Sequence, residues 1–476
     1  MIAGATLLLA SGCQMAGTSK ESNLLGDQMY QSYLDTSEVS KSENHSSDFA
    51  LQPATIRNLI PTELDIMQVQ SASFQEERDR RQPEIALSNF TLEELEGIAL
   101  QNNPSIAEAA ALVEAAQGNR VQVGLGPNPV LGYSGQQLGS SGQAEQQGVF
   151  IGKEFITGKK LGLNQQRASW KVQRAERELE AFRLRVLTDV RVRFYDVLIA
   201  QRRRELAGEL VGISTQGVEA AQALFMGQEV SEADPLRAKV EADTALILLQ
   251  TSVNQHVESW RLLTAVLGMP ELTLQRLQGD LSEANVELSW QDTLHQVISE
   301  SPEIAAAYAD IEATRWAIQR AYAENIPNVE VQAVIQDDRG TGSTNGNLQV
   351  SLPIPFWNRN QGGIRQAHYE AIAAERAVER LTLDLQARLA SAFQRYESAR
   401  NQVDKYSQKD GILDNASRTL ELIRIGYRAD EYNVLDLLNV QRTYFQANIT
   451  YLDAQRELWV SVMQIRGLLL TDSLSK

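Results

Sequence analysis

The stretch Pro104-Ser105-Ile106-Ala107 returns 198 residues later as Pro302-Glu303-Ile304-Ala305. Further pairs repeat at an offset of 198 or 199 residues, across more than 150 residues of chain. These pairs are Glu114-Ala115 with Glu312-Ala313, Pro129 with Pro327, Gly227 with Gly426, Trp260 with Trp459, and Gly268 with Gly467. So constant an offset indicates an internal duplication, and each half is expected to fold as one unit of about 200 residues.

Helical patterns dominate the first half. A helix is predicted over Thr91–Val123, and apolar residues spaced by three and four predict a very long helix over Gly158–Met226. Gly227 is expected to end this helix, and a third helix is expected to begin at Asp234-Pro235 and to end at Gly268.

The second half has the same order of patterns. Helices are predicted over Asp292–Asn325, over Asn360–Ile425 and over Asn433–Arg466, with Gly426 as the break between the last two. Because a helix rises ~1.5 Å per residue, two short helices stacked end to end match one long helix. The sequence therefore predicts a tall wall of packed helices.

Two short strand patterns interrupt the helices in each half. The four predicted strands are Val130–Leu138, Gly148–Phe155, Val329–Gln336 and Leu348–Phe356. Their lengths are close to the ~9–11 residues of a tilted strand that crosses a bilayer. Because open sheet edges are not tolerated in lipid, four strands can cross a membrane only if several copies share one barrel, and three copies would give twelve strands. The alternative is that the hairpins cap a soluble helical rod.

The composition limits the classes of function. The 476 residues include 44 Lys and Arg and 61 Asp and Glu, for a formal net charge of −17, which argues against a nucleic-acid-binding protein. No apolar run approaches the ~18 residues of a spanning helix. The four histidines are scattered without helix-spaced partners, and no phosphate-binding loop occurs. We therefore expect no enzyme, no cofactor and no metal ligands.

The N-terminus carries the single cysteine, Cys13. The run Ala10-Ser11-Gly12-Cys13 follows three leucines and looks like a bacterial lipobox, in which the thiol is lipidated; the alternative is a free thiol. No Lys or Arg precedes the apolar run, which indicates a truncated signal peptide. The expected domains are the lipoprotein-type signal peptide 1–12, a polar tether 13–89, a first repeat 90–289, a second repeat 290–470 and a tail 471–476.

Three stretches resemble a known family. Leu92–Ala99 followed by Asn103-Pro104 looks like the opening helix of the outer membrane efflux protein (TolC) family. Ser351–Gly362, which reads SLPIPFWNRNQG, is similar to the exit from a strand into the second long helix, most of all in the heavy-metal CzcC/CusC-like branch. Gly426–Arg442 resembles the second helical hairpin at the tip.

The resemblance implies a mainly α fold with a small β part. It implies a homotrimeric α-helical barrel topped by a twelve-stranded β-barrel in the lipid of the outer membrane, with four strands from each protomer. Such a channel passively carries metal cations or small toxic compounds from a periplasmic adaptor (membrane fusion) protein and an inner-membrane pump of the resistance–nodulation type. The alternatives are a type I secretion exit duct for polypeptides and a soluble periplasmic coiled-coil scaffold.

The turns between the helices are the candidate docking sites. Gly227 and Gly426 are expected to supply the positive φ that ends a long helix. In the family the same turns contact the adaptor, so the exposed neighbours are candidates for this contact. These neighbours are Gln228, Glu229, Tyr427 and Arg428.

A candidate gate lies just inside the returning helices. In the family, two Asp three residues apart line the closed entrance; here Asn433 replaces the first and Asp436 is the second. Threefold symmetry would make Asp436 a ring of carboxylates, braced by Arg428 or Arg237. Asp234 is the equivalent candidate in the first repeat, with stabilisation of its helix N-terminus as the alternative role.

Overall fold

We describe the protein from a computed structural model, which covers residues 90–139, 141, 145–281, 287–429 and 431–474. These residues lie in one compact unit, Ala86–Lys476. The predicted signal peptide 1–12, Cys13 and the tether 13–89 lie outside the described residues. So do the last two residues of the tail.

The first half has the order helix, helix, strand, strand, long helix, helix, and the second half has the same order except that its long helix is divided in two. The elements are α1 (Leu92–Asn102), α2 (Pro104–Gln122), β1 (Val130–Gln136), β2 (Gln146–Phe155), α3 (Lys160–Met226), α4 (Ala233–Val266), α5 (Trp290–Glu300), α6 (Pro302–Ala323), β3 (Val329–Asp338), β4 (Ser343–Ser351), α7 (Gln361–Ser407), α8 (Ile412–Arg428) and α9 (Val434–Arg466).

The helix that opens each half is divided in two, so the predictions of continuous helices over Thr91–Val123 and Asp292–Asn325 are wrong. The break falls before Pro104 and Pro302, whose rings prevent the preceding helix from continuing. The residue before each proline is extended and caps the new helix: the side chain of Asn103 accepts from the amide of Ser105 at 2.9 Å, and Ser301 caps α6 in the same way. A proline at the first helical position is the usual sign of such a start.

The two long helices differ. Helix α3 runs unbroken for 67 residues and ends at Met226 as predicted. The predicted helix over Asn360–Ile425 is wrong, because the chain leaves the helix at Gln408–Gly411 and resumes it as α8. Asp410 there has a φ of 53°, and a Cβ on Gly411 would lie 2.6 Å from the carbonyl oxygen of Gln408. Within the described ranges, no helix combines the length and the hydropathy that crossing a membrane requires.

Both long helices start behind a residue in the left-handed conformation. Lys159 has a φ of 56° before α3, and Asn360 has a φ of 54° before α7. The first residue of α3, Lys160, is buried and donates from Nζ to Oδ1 of Asn328 at 2.8 Å. Asn328 in turn donates to Oε1 of Glu154 at 2.7 Å. These bonds fix the start of α3 to the ends of β2 and β3.

The core is built around the middle of α3 and contains both repeated tryptophans. The indole N–H of Trp260 donates to the carbonyl of Leu272 at 3.0 Å, and that of Trp459 donates to the carbonyl of Leu281 at 3.1 Å. The ring of Tyr195 stacks on Trp459 with 4.2 Å between centroids. Both tryptophans are therefore packing anchors of the core.

The C-terminal tail is held by the first repeat. Leu470 is buried, and the backbone amides of Asp472 and Ser473 donate to the two carboxylate oxygens of Asp189 at 3.0 and 2.6 Å. The hydroxyl of Ser105 donates to the carbonyl of Ser473 at 2.8 Å. Residues from both ends of the described chain thus meet at one place.

The four strands form one antiparallel sheet in the order β1-β2-β3-β4. Strand β4 covers Ser343–Ser351, so the predicted strand Leu348–Phe356 was placed too late in the chain. The ladder ends at Ser351 because Pro353 and Pro355, which follow it, have no amide to donate.

Candidate functional site

The first turn, Gly227–Glu232, joins α3 to α4 and is widely exposed. Gly227 has a φ of −75°, so the prediction that it supplies the positive φ is wrong. That conformation belongs to Gln228, whose φ is 63°. Its amide donates to Phe225 and the amide of Glu229 donates to Leu224, the bonding pattern of a Schellman cap. Gln228 and Glu229 are exposed as predicted.

The second turn, Ala429–Asn433, joins α8 to α9. Gly426 does not end a helix as predicted; it is buried inside α8, which continues to Arg428. Its carbonyl accepts from the amide of Glu431 at 2.8 Å, which folds the turn back onto the helix. A Cβ on Gly426 would lie 2.4 Å from Cδ2 of Tyr432. The glycine is therefore required by the close approach of this ring.

Tyr427 is buried, with 4% of its surface exposed, so the prediction that it is an exposed docking residue is wrong. It forms a small apolar cluster with Val434 and Leu437, against which Leu224 of α3 also packs. Its hydroxyl has no hydrogen-bond partner among the described residues. Burial and, to a smaller extent, the negative charge of Asp234 raise the pKa of this hydroxyl. Arg428, next in the chain, is exposed as predicted.

The predicted gate residues are engaged at the starts of the returning helices. Asn433 and Asp436 form a reciprocal capping box: the amide of Asp436 donates to Oδ1 of Asn433 at 3.0 Å, and the amide of Asn433 donates to Oδ2 of Asp436 at 3.3 Å. Asp234 pairs with Arg237 one turn later, at 3.3 Å between Oδ1 and Nη1. One oxygen of the Asp436 carboxylate thus stabilises the helix.

The sheet has one apolar and one polar face. Directly opposite residues in neighbouring antiparallel strands point to the same side, and the register places Ile151 opposite Leu131 and Ala333. The apolar face carries Leu131, Tyr133, Val149, Ile151, Lys153, Phe155, Val329, Val331, Ala333, Ile335, Leu348 and Val350. The other face is mainly polar and carries Ser134, Gln136, Gln146, Glu154, Glu330, Gln332, Gln336, Asp338, Asn345, Asn347, Gln349 and Ser351, with Val130, Phe150 and Val334 among them. The two faces therefore differ in their overall composition, although a few apolar side chains lie on the polar face.

Two edges of the sheet are open. Strands β1 and β4 each have a neighbour on one side only, among the strands that the structure describes. Their other sides present unpaired amide and carbonyl groups, as any edge strand does. Most large side chains of the apolar face are also exposed in the single protomer, including Leu131, Tyr133 and Leu348.

The residues that the structure describes contain no cluster of three His, Cys, Asp or Glu side chains suited to a metal ion. His256, His295 and His368 lie on three different helices. His256 is buried in α4, and burial lowers its pKa.

A sequence profile described as outer membrane efflux protein matches the chain twice, over residues 95–269 and 293–469. A similar relative is the cobalt-zinc-cadmium resistance protein CzcC of Cupriavidus metallidurans. It is 25% identical over 370 residues, which cover 78% of this chain and 87% of that protein.

Two solved structures share the fold. One is CusC, described in connection with folding and transmembrane channel formation, with a TM-score of 0.69 and 17% identity over 81% of this chain and 93% of that one. The other is the outer membrane protein VceC from Vibrio cholerae, with a TM-score of 0.65 and 17% identity over 80% of this chain and 96% of that one.

Proposed function

The chain belongs to the outer membrane efflux protein family, and from this premise we propose that it is a passive trimeric duct. The duct would cross the outer membrane as a shared β-barrel and continue through the periplasm as a helical barrel. The observation that carries the proposal is the sheet with an apolar face, a polar face and two open edges.

The open edges account for the trimer. In lipid, each unpaired amide or carbonyl of an edge strand needs a partner, so β1 of one copy must pair with β4 of the next. Three copies close twelve strands into a barrel, with the apolar face toward lipid and the polar face toward the lumen. This arrangement gives every edge-strand amide and carbonyl a hydrogen-bond partner. It also places the apolar side chains in lipid and the polar side chains in water.

The two turns are the proposed contact region for a periplasmic adaptor and an inner-membrane pump. Gly227, Gln228 and Glu229 of the first turn and Arg428 beside the second are exposed and available to a partner. Gly426 and Tyr427 are buried, so we assign them the role of supporting the second turn. An adaptor would therefore contact mainly side chains of the first turn.

Metal cations are the proposed cargo, with small toxic compounds as the wider class. The relative CzcC is named for resistance to cobalt, zinc and cadmium. The net charge of −17 favours cations wherever part of it faces the lumen. The comparisons do not favour a polypeptide exit duct or a soluble scaffold. A duct needs no catalytic group and no resident metal, because its cargo passes through.

Lipidation of Cys13 is proposed as a second attachment to the outer membrane. The sequence Ala10-Ser11-Gly12-Cys13 supports it. Two or three acyl chains hold a protein stably at a bilayer, whereas one chain does so only weakly. Mass spectrometry of the purified N-terminal peptide tests this directly, and an unmodified thiol would refute it.

The duct is tested in planar bilayers with the full-length protein. We expect a heat-sensitive trimer on gels and discrete single-channel currents, and a monomer without currents would refute the proposal. Asp436→Asn keeps the capping acceptor and removes the charge, so it should raise conductance if a ring of Asp436 carboxylates braces the entrance. Asp234→Asn is the matched control in the first repeat. Equal conductance in Asp436→Asn and the unmodified protein would remove Asp436 from the gate.

A further inference from the structure

The apolar pattern of β4 continues beyond the sheet. Leu348 and Val350 lie on the apolar face, and the same spacing of two leads to Leu352, Ile354 and Phe356. We call Leu352–Trp357 the junction segment, since it joins β4 to the start of α7. Its apolar side chains are exposed, and Trp357 is 89% exposed, more than any other large apolar side chain described. Among the described residues, no packing contact accounts for this exposure.

The apolar face of the sheet is shorter than the lipid-facing band of a membrane barrel, and the junction segment lies at one end of this face. From Val149 to Phe155 the face extends six residues, about 20 Å along the strand at ~3.4 Å per residue. At the usual strand tilt of ~35–45°, this is about 15 Å of membrane depth, whereas the lipid-facing band of such barrels is ~25 Å tall. Beyond Val149, the next row of this face is polar, with Gln147 opposite Asp337. The missing height must therefore come from the end at which the junction segment lies.

Three exposed cations, Lys153, Lys159 and Arg359, lie at this end of the sheet or next to it in the chain. The Nζ atom of Lys153 lies 5.8 Å from the centre of the Phe155 ring, toward the helical end of its strand. Lys159 and Arg359 are exposed just beyond the strands. Among the described residues, none of these three groups is in an ion pair. The acidic pair at this end, Glu154 opposite Glu330, is on the polar face. On the strands themselves, the cation Lys153 is therefore on the apolar face and the carboxylates of Glu154 and Glu330 are on the polar face.

We propose that the junction segment, with Lys153, Lys159 and Arg359, is a lipid-interface belt that binds anionic phospholipids of the leaflet nearest the helices. The proposal rests on the proposed function, because that function places the apolar face against lipid. Aromatic side chains favour the boundary between the acyl chains and the headgroups, and Lys and Arg reach from there to phosphate. Trp357 and Phe356 would lie at that boundary, and the three cations would contact the phosphates.

The location of Trp357 is tested by fluorescence quenching in vesicles with brominated phosphatidylcholine. Trp357→Phe is conservative, so the difference between the two spectra isolates this one of the six tryptophans. We expect stronger quenching of the Trp357 component when the bromine is near the headgroup than when it is near the end of the acyl chain. No quenching by either lipid would place Trp357 against a neighbouring copy and overturn the proposal. Stronger quenching by the deep bromine would overturn it as well.

The phospholipid preference is tested with K153Q/K159Q/R359Q, measured with spin-labelled phosphatidylglycerol and phosphatidylcholine. Since one basic side chain near an anionic surface changes lipid partitioning by about fivefold, the enrichment of phosphatidylglycerol should fall by at least that factor. The control R380Q/K405Q/K409Q removes the same charge from exposed positions of α7 and its link to α8. Equal enrichment in the two variants would refute the belt.

Conductance measured on the same preparations separates the two proposals. A trimer that conducts but shows no quenching at Trp357 refutes only the belt. A protein that neither assembles nor conducts refutes the duct.

Discussion

The first and second turns occupy equivalent positions in the two repeats. Gly227 begins the first turn, and Gly426, 199 residues later, lies in α8 just before the second turn. Gly227 is exposed, and the nearest atom to a Cβ placed there is 3.4 Å away. Gly426 is buried under the ring of Tyr432. The helix before the first turn is unbroken, whereas the helix before the second turn is separated from α7 at Gln408–Gly411.

The duplication has kept the two turns at equivalent positions, but the residues of the two turns pack differently. The second turn has its own apolar cluster, its own capping box and a break behind it. The second turn is therefore held by buried contacts of α8 and α9 with each other and with Leu224 of α3, whereas the first turn is exposed. The second turn should respond much more to substitution than the first, and the following predictions test this.

The largest difference is expected for apolar truncation. Tyr427→Ala removes a buried ring from the cluster with Val434 and Leu437 and should destabilise the second turn by about 3 kcal/mol. Met226→Ala, at an 82% exposed side chain at the end of α3 next to the first turn, should change stability by less than ~0.5 kcal/mol. Hydrogen–deuterium exchange of the backbone amides around each turn, in the assembled protein, measures both. Similar changes at the two turns would contradict the comparison.

Adding one methyl group to each glycine should give a smaller difference. Gly426→Ala places its Cβ against Tyr432 and should destabilise the hairpin by about 1–3 kcal/mol. Gly227→Ala has room and a helical φ, so it should be neutral or stabilising by ~0.5 kcal/mol. The double variant with Tyr432→Ala should recover most of the loss. If it does not, the ring is not what requires Gly426.

Removal of the helix cap should have a still smaller effect. Asn433→Ala deletes the acceptor for the amide of Asp436. The N-terminal residues of α9 should therefore lose about 1 kcal/mol of protection against amide exchange. Glu232 is at the equivalent position before α4, where no side-chain cap is made. Glu232→Ala should therefore leave the protection of α4 unchanged, and a loss as large as that at α9 would show hidden capping there.

The smallest effect is expected at alkaline pH, as a difference between the unmodified protein and Tyr427→Phe. The pKa of Tyr427 is raised in the folded protein, so the folded state holds its proton more tightly than the unfolded state. The stabilisation this gives is fully present below the unfolded pKa of ~10 and is lost as the pH rises through the higher, folded value. Exchange protection of the second turn should fall in that range in the unmodified protein and less in Tyr427→Phe. A parallel decline in both proteins would show that Tyr427 does not titrate there.

Long, regular patterns were predicted well from the sequence. The spacing of apolar residues placed α3 and α9 within about two residues of their observed ends, because one face of each helix packs along its whole length. The break at Gln408–Gly411 was missed because the apolar stripe resumes after it. The available signal was the dipeptide Asp410-Gly411 in a polar run, which is typical of a turn.

The site was predicted only in outline. The repeated glycines located both turns, but the burial of Tyr427 depends on Leu224, which is more than 200 residues earlier in the chain. The two faces of the sheet were obscured in β2 by Lys153, a charged residue within an apolar row. Only the register with β3 shows that its neighbours on that face are Val331 and Val350. Pairing of this kind is not encoded in local spacing.

The capture of the C-terminal tail by Asp189 and Ser105 has a consequence for biosynthesis. These contacts join residues more than 280 positions apart, and the stack of Tyr195 on Trp459 spans 264. A ribosome therefore releases the whole chain before the core of the first repeat can close, and such distant pairings form slowly. Until then the apolar face of the sheet and the long helices are exposed together. The apolar surfaces of the first repeat are therefore exposed to water for longer than those of a domain that is built from local contacts.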